Sequence, residues 1–382
     1  MGFHEFSSPY DWSRIAAYKR TAKAAFGGMI DLSVGSPVDP VPDSVRKALA
    51  AAANDPNAYG YPATAGTADL RAAIAEWFSA TRNVDLQAIH ADAVPTVGSK
   101  EGVALMASLL HFGEDDVVVQ PKVSYPTYEI GTQLAGAQVL KVDDVADVAS
   151  WRNVPGVKAV WVNSPCNPTG EVYSAERMAG IVAAAREIGA VVLSDECYAL
   201  MQWRGATNSA DDDPLQSTPC ALRSDVCAGS AEGVLVLYSL SKQSNMAGYR
   251  TAFIAGDESL IASMSAYRKQ IGQIIPGPVQ AAMAAGLRDL ESVKAQHARY
   301  RERLGVLVSA LRAYGYCTDM PDGALYVWVR AKSGDCWTDM EQLAKIGIIA
   351  SPGEFYGAPE CLRFSATASD EAIASAAERL AR

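Results

Sequence analysis

The sequence predicts an α/β fold: a large domain whose mostly parallel sheet is sandwiched by helices, joined to a smaller α+β domain. Two observations predict it. Short apolar segments alternate with helical periodicities through the middle of the chain, which is the pattern of right-handed βαβ crossovers. After about residue 280, one long amphipathic helix, short strands and a capped final helix replace that alternation. The predicted units are an N-terminal arm over residues 1–40 that joins the small domain, a large domain over 41–280 and a small domain over 281–382.

The elements of the large domain are predicted from apolar spacing and capping residues. Thr67 can cap a helix that carries Leu70, Ile74 and Trp77 on one face. Two further helices are predicted to run from Ser99 to Leu110 and from Ser174 to Gly189. Apolar runs predict buried strands at Val94–Val97, Val117–Gln120, Val157–Asn163, Ala190–Leu193 and Val234–Tyr238.

The small domain shows a different pattern. Apolar residues from Val293 to Leu311 recur on one face of a long helix, which Gly315 ends. Two strands and the cap of the last helix are predicted at Ala324–Val329, Leu362–Ser365 and Ser369. The polar stretch Asp211–Gly233, inserted between two strands of the large domain, is predicted to be a surface loop.

Charge and composition disfavour several classes of partner. A net charge of −10 and a pI of about 5.0 argue against nucleic acid and anionic membranes. No apolar run reaches membrane-spanning length and residues 1–10 do not resemble a secretory signal, so we expect a cytoplasmic protein. Seven cysteines without C-x-x-C spacing favour free thiols. Four histidines, none at ligand spacing, predict that the protein has no metal site.

Lys242 is the most informative residue of the chain. It lies just beyond the apolar run Val234–Tyr238, where partial burial would help its ammonium group to lose a proton. A neutral amine can form a Schiff base with an aldehyde, while the hydroxyls of Ser239 and Ser241 and the guanidinium of Arg250 can hold a phosphate. An aldehyde and a phosphate on one small molecule indicate pyridoxal 5′-phosphate. The alternative is a solvated surface lysine.

Other predicted strands also lead into polar turns, at the sheet edge where open α/β folds bind ligands. Ser99 and Lys100 open a helix whose N-terminal amides can bind an anion, unless Ser99 is only a helix cap. Asn167 could donate its amide to a phenolic oxygen, although a tight turn alone would explain its Pro- and Gly-containing motif.

Three more residues complete the predicted site. Asp195 stands at a buried strand end and needs a partner; a protonated pyridine nitrogen is one possibility and a helix N-cap is the other. Tyr125 could stack on a cofactor ring or fill the core. Arg363 is a lone arginine in an apolar strand, where it can bind a substrate α-carboxylate or form a structural salt bridge.

The order and spacing of these motifs resemble the fold type I pyridoxal-phosphate aminotransferases of class I and II over nearly the whole chain, from Leu32 to Arg363. The most specific part combines Asn-Pro-Thr-Gly at 167–170, Asp-x-x-Tyr at 195–198 and Ser-x-Ser-Lys at 239–242 with Arg250 eight residues later. The resemblance implies pyridoxal 5′-phosphate as the cofactor, a ping-pong transamination, and a homodimer with a shared active site.

The same resemblance assigns roles to individual residues. Lys242 bonds the cofactor and moves the proton, and Asp195 pairs with the ring nitrogen. Asn167 and Tyr198 contact the phenolic oxygen, and Tyr125 stacks on the ring.

The resemblance also implies how phosphate and substrate are held. The implied phosphate ligands are Ser99, Lys100 through its backbone, Ser239, Ser241 and Arg250, with Tyr61 reaching the phosphate of the neighbouring subunit. Arg363 takes the substrate α-carboxylate, with Gly35 and Asn167 beside the substrate.

Within that family, three segments look most like actinobacterial N-succinyldiaminopimelate aminotransferases: Asp31–Pro40, Gly60–Gly66 and Ser351–Gly357. Val38 and Asp39 depart from the usual Asp-Phe of the wider family, and the stretch from Asp195 to Lys242 is longer than usual. The implied reactants are glutamate or 2-oxoglutarate and N-succinyl-2-amino-6-ketopimelate, in lysine biosynthesis. Aspartate, aromatic or branched-chain aminotransferases and β-lyases remain open, because they share the cofactor contacts.

Two more distant hypotheses can be tested against the sequence. Ser239-x-x-Lys242 with Lys332-Ser333-Gly334 matches the order of motifs in serine acyl-transfer enzymes, but no S-x-N element lies between them and Ser239 is expected to follow a strand and not to open a helix. A cofactor-sensing regulator would need a basic DNA-binding segment, which this acidic chain lacks.

Overall fold

The computed structural model describes residues 10–203, 215 and 218–381. Within them the helices are α1 (Ala16–Ala24), α2 (Asp43–Ala52), α3 (Ala68–Arg82), α4 (Ser99–Leu109), α5 (Thr127–Leu134), α6 (Ala175–Glu187), α7 (Ser224–Cys227), α8 (Leu240–Gln243), α9 (Glu258–Gln270), α10 (Gly277–Arg288), α11 (Leu290–Ala313), α12 (Cys336–Lys345) and α13 (Asp370–Leu380). The strands are β1 (Ile30–Asp31), β2 (Ala91–Val97), β3 (Val117–Pro121), β4 (Gln138–Val142), β5 (Val157–Asn163), β6 (Val191–Asp195), β7 (Val234–Ser239), β8 (Thr251–Asp257), β9 (Tyr326–Arg330), β10 (Ile348–Ile349), β11 (Ser351–Pro352) and β12 (Cys361–Ser365).

The main sheet has seven strands in the order β2-β8-β7-β6-β5-β3-β4. The five strands from β4 to β7 are parallel, and β8 runs antiparallel to both β7 and β2. The predicted α/β fold with a mostly parallel sheet is therefore confirmed. The sequence prediction missed β4 and β8. Strand β4 lies at the sheet edge and is largely accessible to solvent, so it lacks a continuous apolar run.

Helices cover both faces of this sheet. Along β7, Val234 and Val236 belong to one apolar core, whereas Leu235 and Leu237 belong to another. Since side chains alternate between the faces of a strand, burial of both sets explains why these strands read as unbroken apolar runs.

Three predicted helix starts are confirmed by their caps. The hydroxyl of Thr67 accepts from the Leu70 amide at 3.2 Å, and Ser174 and Ser369 cap α6 and α13 in the same way. Ser239 ends β7 and also caps the short helix α8, because its hydroxyl accepts from the Ser241 amide at 3.1 Å. The expectation that Ser239 does not open a helix is therefore wrong.

The C-terminal part of the chain forms a separate core. Strands β11, β12 and β9 make an antiparallel sheet, and α11 packs along α13. Strand β1 of the N-terminal arm pairs with β10, and Ile30 and Leu32 join this core. The domain boundaries at residues 40 and 280 stay predictions.

The insertion Asp211–Gly233 does not match its prediction as a polar surface loop. Residues 211–214, 216 and 217 lie outside the described part, but Cys220, Leu222 and Val226 are fully or almost fully buried in the core of the large domain. Their apolar side chains outweigh the polar composition of the stretch as a whole. Within the described residues, none of the helices combines the length and the apolar character needed to cross a bilayer.

Candidate active site

A cavity of about 400 Å³ opens where the parallel strands end. Twelve of the predicted site residues line it: Gly35, Ser99, Lys100, Tyr125, Asn167, Asp195, Tyr198, Ser239, Ser241, Lys242, Arg250 and Arg363. Tyr61 does not line it and is fully exposed, so its predicted contact with a neighbouring subunit stays a prediction. Residues far apart in sequence converge here because parallel strands place all their carboxyl ends on one edge.

Lys242 lies in α8, directly after β7, and its side chain is half-buried in the cavity wall. Its amine contacts the carbonyl oxygen of Gly35 from the N-terminal arm. A freely solvated surface lysine, the alternative reading, does not describe this position.

The predicted phosphate side of the cavity is built around a close backbone approach. Gly98 has φ +76°, and a Cβ added to it would collide with the guanidinium of Arg250. Gly98 is also the N-cap of α4, so Ser99 is the first helical residue and not the cap. Ser239 and Ser241 bring their hydroxyls to the same cavity, 2.8 Å from each other. Hydroxyls, an arginine and a helix N-terminus together can hold a dianion.

Asp195 is the last residue of β6 and is buried. Its Oδ2 accepts a 2.7 Å hydrogen bond from the Tyr128 hydroxyl, and its Oδ1 accepts from the Cys197 amide at 3.1 Å. A turn follows it, so the helix N-cap alternative is wrong. Burial raises the pKa of Asp195, and the bonds from Tyr128 and Cys197 offset that only in part. A cation entering the cavity beside this carboxylate would stabilise its charged form.

Arg363 lies on β12 and is almost completely buried. It donates to Asn167 Oδ1 at 2.7 Å and to the Ser33 carbonyl at 2.8 Å. Its guanidinium carbon lies 4.0 Å from the ring centre of Tyr326 and 4.7 Å from that of Tyr356. Among the described residues no carboxylate pairs with it, and its Nε is buried without a hydrogen-bond partner. The salt-bridge alternative therefore fails, and a buried cation lacking an anion fits a carboxylate-binding role.

Tyr198 and Tyr125 both face the cavity. The hydroxyl of Tyr198 lies 2.7 Å from that of Tyr326, and burial raises the pKa of Tyr198 well above its ordinary value. Burial also raises the pKa of Tyr125. Both phenols therefore stay protonated at neutral pH and can act as hydrogen-bond donors.

Asp39, at one of the positions where the sequence departs from the wider family, plays no part in the cavity. It accepts two hydrogen bonds from Arg303, at 2.7 and 2.8 Å, and one from Gln296 at 2.9 Å. This carboxylate therefore fixes the arm to α11.

Sequence reasoning missed several residues of the cavity wall: Tyr10, Trp12, Val34, Ser36, Asn163, Cys197, Ala247 and Tyr326. It also missed Tyr128, which positions Asp195 from behind. Tyrosines and tryptophans are common core residues, so their sequence positions gave no signal. Asn163 and Cys197 could have been found, because each stands within or beside a recognised turn motif.

The residues present fit pyridoxal 5′-phosphate. An amine, a carboxylate at the end of a strand and an anion cradle share one cavity, and the volume of about 400 Å³ lies in the range of small-molecule sites. The cradle depends on the missing side chain at Gly98, and Asp195 lacks a cationic partner among the described residues.

Comparisons with known proteins agree with this chemistry. The sequence profile of the family described as aminotransferase class I and II matches residues 27–380. The 4-dedimethylamino-4-oxo-anhydrotetracycline transaminase OxyQ of Streptomyces rimosus is 40% identical over 97% of this chain and 98% of that protein. A probable aminotransferase of Mycobacterium tuberculosis is 40% identical over 97% of this chain and 84% of its own length.

Solved structures share the fold. One described as a probable N-succinyldiaminopimelate aminotransferase from Thermus thermophilus superposes with a TM-score of 0.84. It is 27% identical, and the match covers 98% of this chain and 99% of that one.

Proposed function

The chain belongs to the class I and II aminotransferases, a family that uses pyridoxal phosphate, and we propose that it moves an amino group between glutamate or 2-oxoglutarate and N-succinyl-2-amino-6-ketopimelate in lysine biosynthesis. The likeness to an N-succinyldiaminopimelate aminotransferase supports this substrate.

The observation that carries the proposal is a second cation in the cavity wall, Lys100, in addition to Arg363. The Lys100 ammonium lies 5.7 Å from the ring centre of Tyr10, which also lines the cavity. Burial, together with the nearby Arg250, lowers the pKa of Lys100, so a bound anion would stabilise its charged form. A substrate with two carboxylates can place one on Arg363 and the other towards Lys100.

The side chains of the cavity have separate tasks in this reaction. Bound pyridoxal phosphate supplies an aldehyde that accepts the amino group and a ring that draws negative charge away from the substrate Cα. Arg363 would fix the substrate by its α-carboxylate. Lys242 would move a proton from the substrate Cα to the former aldehyde carbon of the cofactor in one half-reaction, and from that carbon to the Cα of the second substrate in the other. Asp195 would keep the ring nitrogen protonated, and Asn167 and Tyr198 would donate hydrogen bonds to the phenolic oxygen.

The phosphate is assigned to Ser99, the Lys100 amide, Ser239, Ser241 and Arg250. Fully exposed Tyr61 is available to a second copy of the chain, which supports the homodimer with a shared site. Tyr125, buried at the cavity wall, is assigned to the face of the ring.

A second candidate is amination of a bulky ring ketone. Tyr10 and Trp12 place two aromatic rings on the cavity wall, and a relative at 40% identity is named as a transaminase of a tetracycline precursor. Aspartate or aromatic amino acid aminotransferase and β-lyase activities remain further alternatives.

The test is a panel of keto substrates with glutamate as the amino donor: N-succinyl-2-amino-6-ketopimelate, oxaloacetate, phenylpyruvate and a tetracyclic ketone. We expect 2-oxoglutarate to form fastest with the succinylated pimelate. Preference for another ketone would contradict the substrate. If no acceptor yields 2-oxoglutarate, and an S-substituted cysteine instead gives pyruvate, ammonia and the free thiol, the protein is a β-lyase.

Two variants test the second cation. In Lys100→Met, the KM for dicarboxylate keto acids should rise roughly tenfold and that for phenylpyruvate should change little, because one charge-assisted contact is lost. Lys122→Met is the matched control, since Lys122 pairs at the surface with Asp143 at 2.9 Å. A uniform loss over all acceptors in Lys100→Met would contradict the assignment.

A further inference from the structure

Tyr326, at the start of β9, connects parts of the active site that are otherwise separate. We propose that it is a positioning residue that directs the Tyr198 hydroxyl at the phenolic oxygen of the cofactor and holds the guanidinium plane of Arg363 for the substrate carboxylate. The inference rests on the proposed positions of cofactor and carboxylate, but not on the identity of the substrate.

Tyr326 and Tyr198 form a pair of buried phenols. The two hydroxyl oxygens are 2.7 Å apart and buried, and the ring centres lie 5.6 Å apart at 72°. Among the described residues neither hydroxyl has another hydrogen-bond partner. Two hydroxyls carry two protons and their mutual bond uses one. If Tyr326 donates to Tyr198, the proton of Tyr198 is left to be donated into the cavity.

The protonation of the pair agrees with this arrangement. Burial raises the pKa of Tyr198 well above its ordinary value. Tyr198 therefore remains a donor across the neutral range. A chain of two aligned hydroxyls polarises the outer one and strengthens the bond that it donates.

Tyr326 also contacts Arg363, the arginine proposed to bind the carboxylate. The Tyr326 ring lies 4.0 Å from the Arg363 guanidinium carbon, and Tyr356 covers the guanidinium at 4.7 Å. An arginine in contact with two aromatic rings is restricted in orientation, and its Nε has no hydrogen-bond partner.

The Tyr326 side chain requires a glycine at position 35. A Cβ added to Gly35 would overlap the Tyr326 hydroxyl. The carbonyl oxygen of Gly35 also accepts a hydrogen bond from the Lys242 amine. Tyr326 therefore touches the loop that holds the reactive lysine. This close approach explains why a glycine stands at position 35.

The test uses the reconstituted holoenzyme and two readouts: the pH midpoint of its visible absorbance, and the dissociation constant of succinate, a carboxylate ligand without an amine. The charged and titratable groups that interact with Tyr326 are Tyr198, Tyr300, Tyr356 and Arg363. None of them is changed in the variants.

Tyr326→Phe removes the hydroxyl and keeps the ring. We expect the pH midpoint of the absorbance to rise by about 0.4 to 1 pH unit. A weaker hydrogen bond from Tyr198 stabilises the deprotonated form of the bound cofactor less, so the proton next to the phenolic oxygen is lost at higher pH. Succinate should bind within about twofold of wild type, since the stacked ring is retained.

Tyr326→Leu removes both features, so the midpoint should shift and succinate should bind roughly threefold to thirtyfold more weakly. Tyr316→Phe is the matched control, because it deletes a buried hydroxyl that donates to Asp339 at 2.8 Å in the same C-terminal core. It should move neither readout.

An unchanged midpoint in Tyr326→Phe overturns the inference, as does an equal shift in Tyr316→Phe. Absence of a visible band in the wild-type protein overturns the proposed function and this inference with it. A band in wild type that does not respond to Tyr326→Phe overturns the inference alone.

Discussion

Replacing Arg363 by lysine measures how much the planar guanidinium group contributes to substrate binding. Lysine keeps the positive charge but donates from a single point, so it cannot serve Asn167, Ser33 and a substrate carboxylate at once. It also presents no plane to the rings of Tyr326 and Tyr356.

The expected loss can be worked from these contacts. One charge-assisted hydrogen bond to the carboxylate is worth about 2 kcal/mol, and the stacked contacts at 4.0 and 4.7 Å add roughly 1 kcal/mol. The sum of about 3 kcal/mol corresponds to a loss of roughly 100-fold in kcat/KM.

The assay compares two amino donors in the half-reaction, followed by cofactor absorbance. Glutamate carries an α-carboxylate, and 4-aminobutyrate is the same molecule without it. In Arg363→Lys, the rate of the half-reaction with glutamate should fall by the full factor of roughly 100. The rate with 4-aminobutyrate should fall by less than about threefold, because 4-aminobutyrate has no α-carboxylate to lose its contact.

A matched control is Arg303→Lys, in which another buried arginine with a bidentate partner, Asp39, is changed away from the cavity. It should lower the melting temperature and leave the ratio of the two donors unchanged. Equal slowing of both donors by Arg363→Lys would show that Arg363 shapes the site without binding the carboxylate.

Three further predictions concern Lys242, Asp195 and the ion pair between Arg82 and Glu196. Lys242→Ala should abolish turnover and the visible cofactor band while preserving the fold; a borohydride-stable adduct in that variant would contradict the assignment. Burial raises the pKa of Asp195, so the cofactor-free folded chain holds this proton more tightly than the unfolded chain does. The folded state therefore loses stability as the pH rises through the raised pKa. In urea unfolding from about pH 4 to about pH 8, the free energy of unfolding should decline less in Asp195→Asn than in wild type. Arg82 and Glu196 form a fully buried pair at 3.0 Å, so Arg82→Met should lower the free energy of unfolding by roughly 3–5 kcal/mol. Arg152→Met, which breaks a surface pair, should cost less than about 1 kcal/mol, and equal losses would refute the burial argument.

Elements whose signals are local were predictable. The caps at Thr67, Ser174 and Ser369 require only one hydroxyl and the next turn of helix, so sequence spacing located them. Most of the strands buried on both faces were also found, since burial of both faces favours an apolar run. Strand β8 is buried on both faces as well and was nevertheless missed. Strand β4 escaped because an exposed edge places no such demand on its residues.

The candidate site divides in the same way. Of the twelve predicted residues that line the cavity, all but Arg363 follow the end of a strand or belong to a motif with fixed spacing. Arg363 lies within β12 and was predicted because an arginine in an apolar strand needs an anion. Tyr128 and Tyr326 escaped, since their function depends on which distant side chain their hydroxyls meet. The buried half of the 211–233 insertion escaped for a related reason: Arg82, more than a hundred residues earlier, holds the Pro219 carbonyl at 2.7 Å.

The amino-acid order alone determined the kind of chemistry: a reactive amine, an acid for a ring nitrogen, an anion cradle and the sheet edge on which they stand. Each of these depends on a residue type at a fixed distance from the end of a strand. Tertiary packing decided which aromatic rings enclose Arg363, which phenol directs Tyr198 and where Lys100 points. These contacts depend on how separate elements pack and on the direction each side chain takes, and neither is encoded in local spacing.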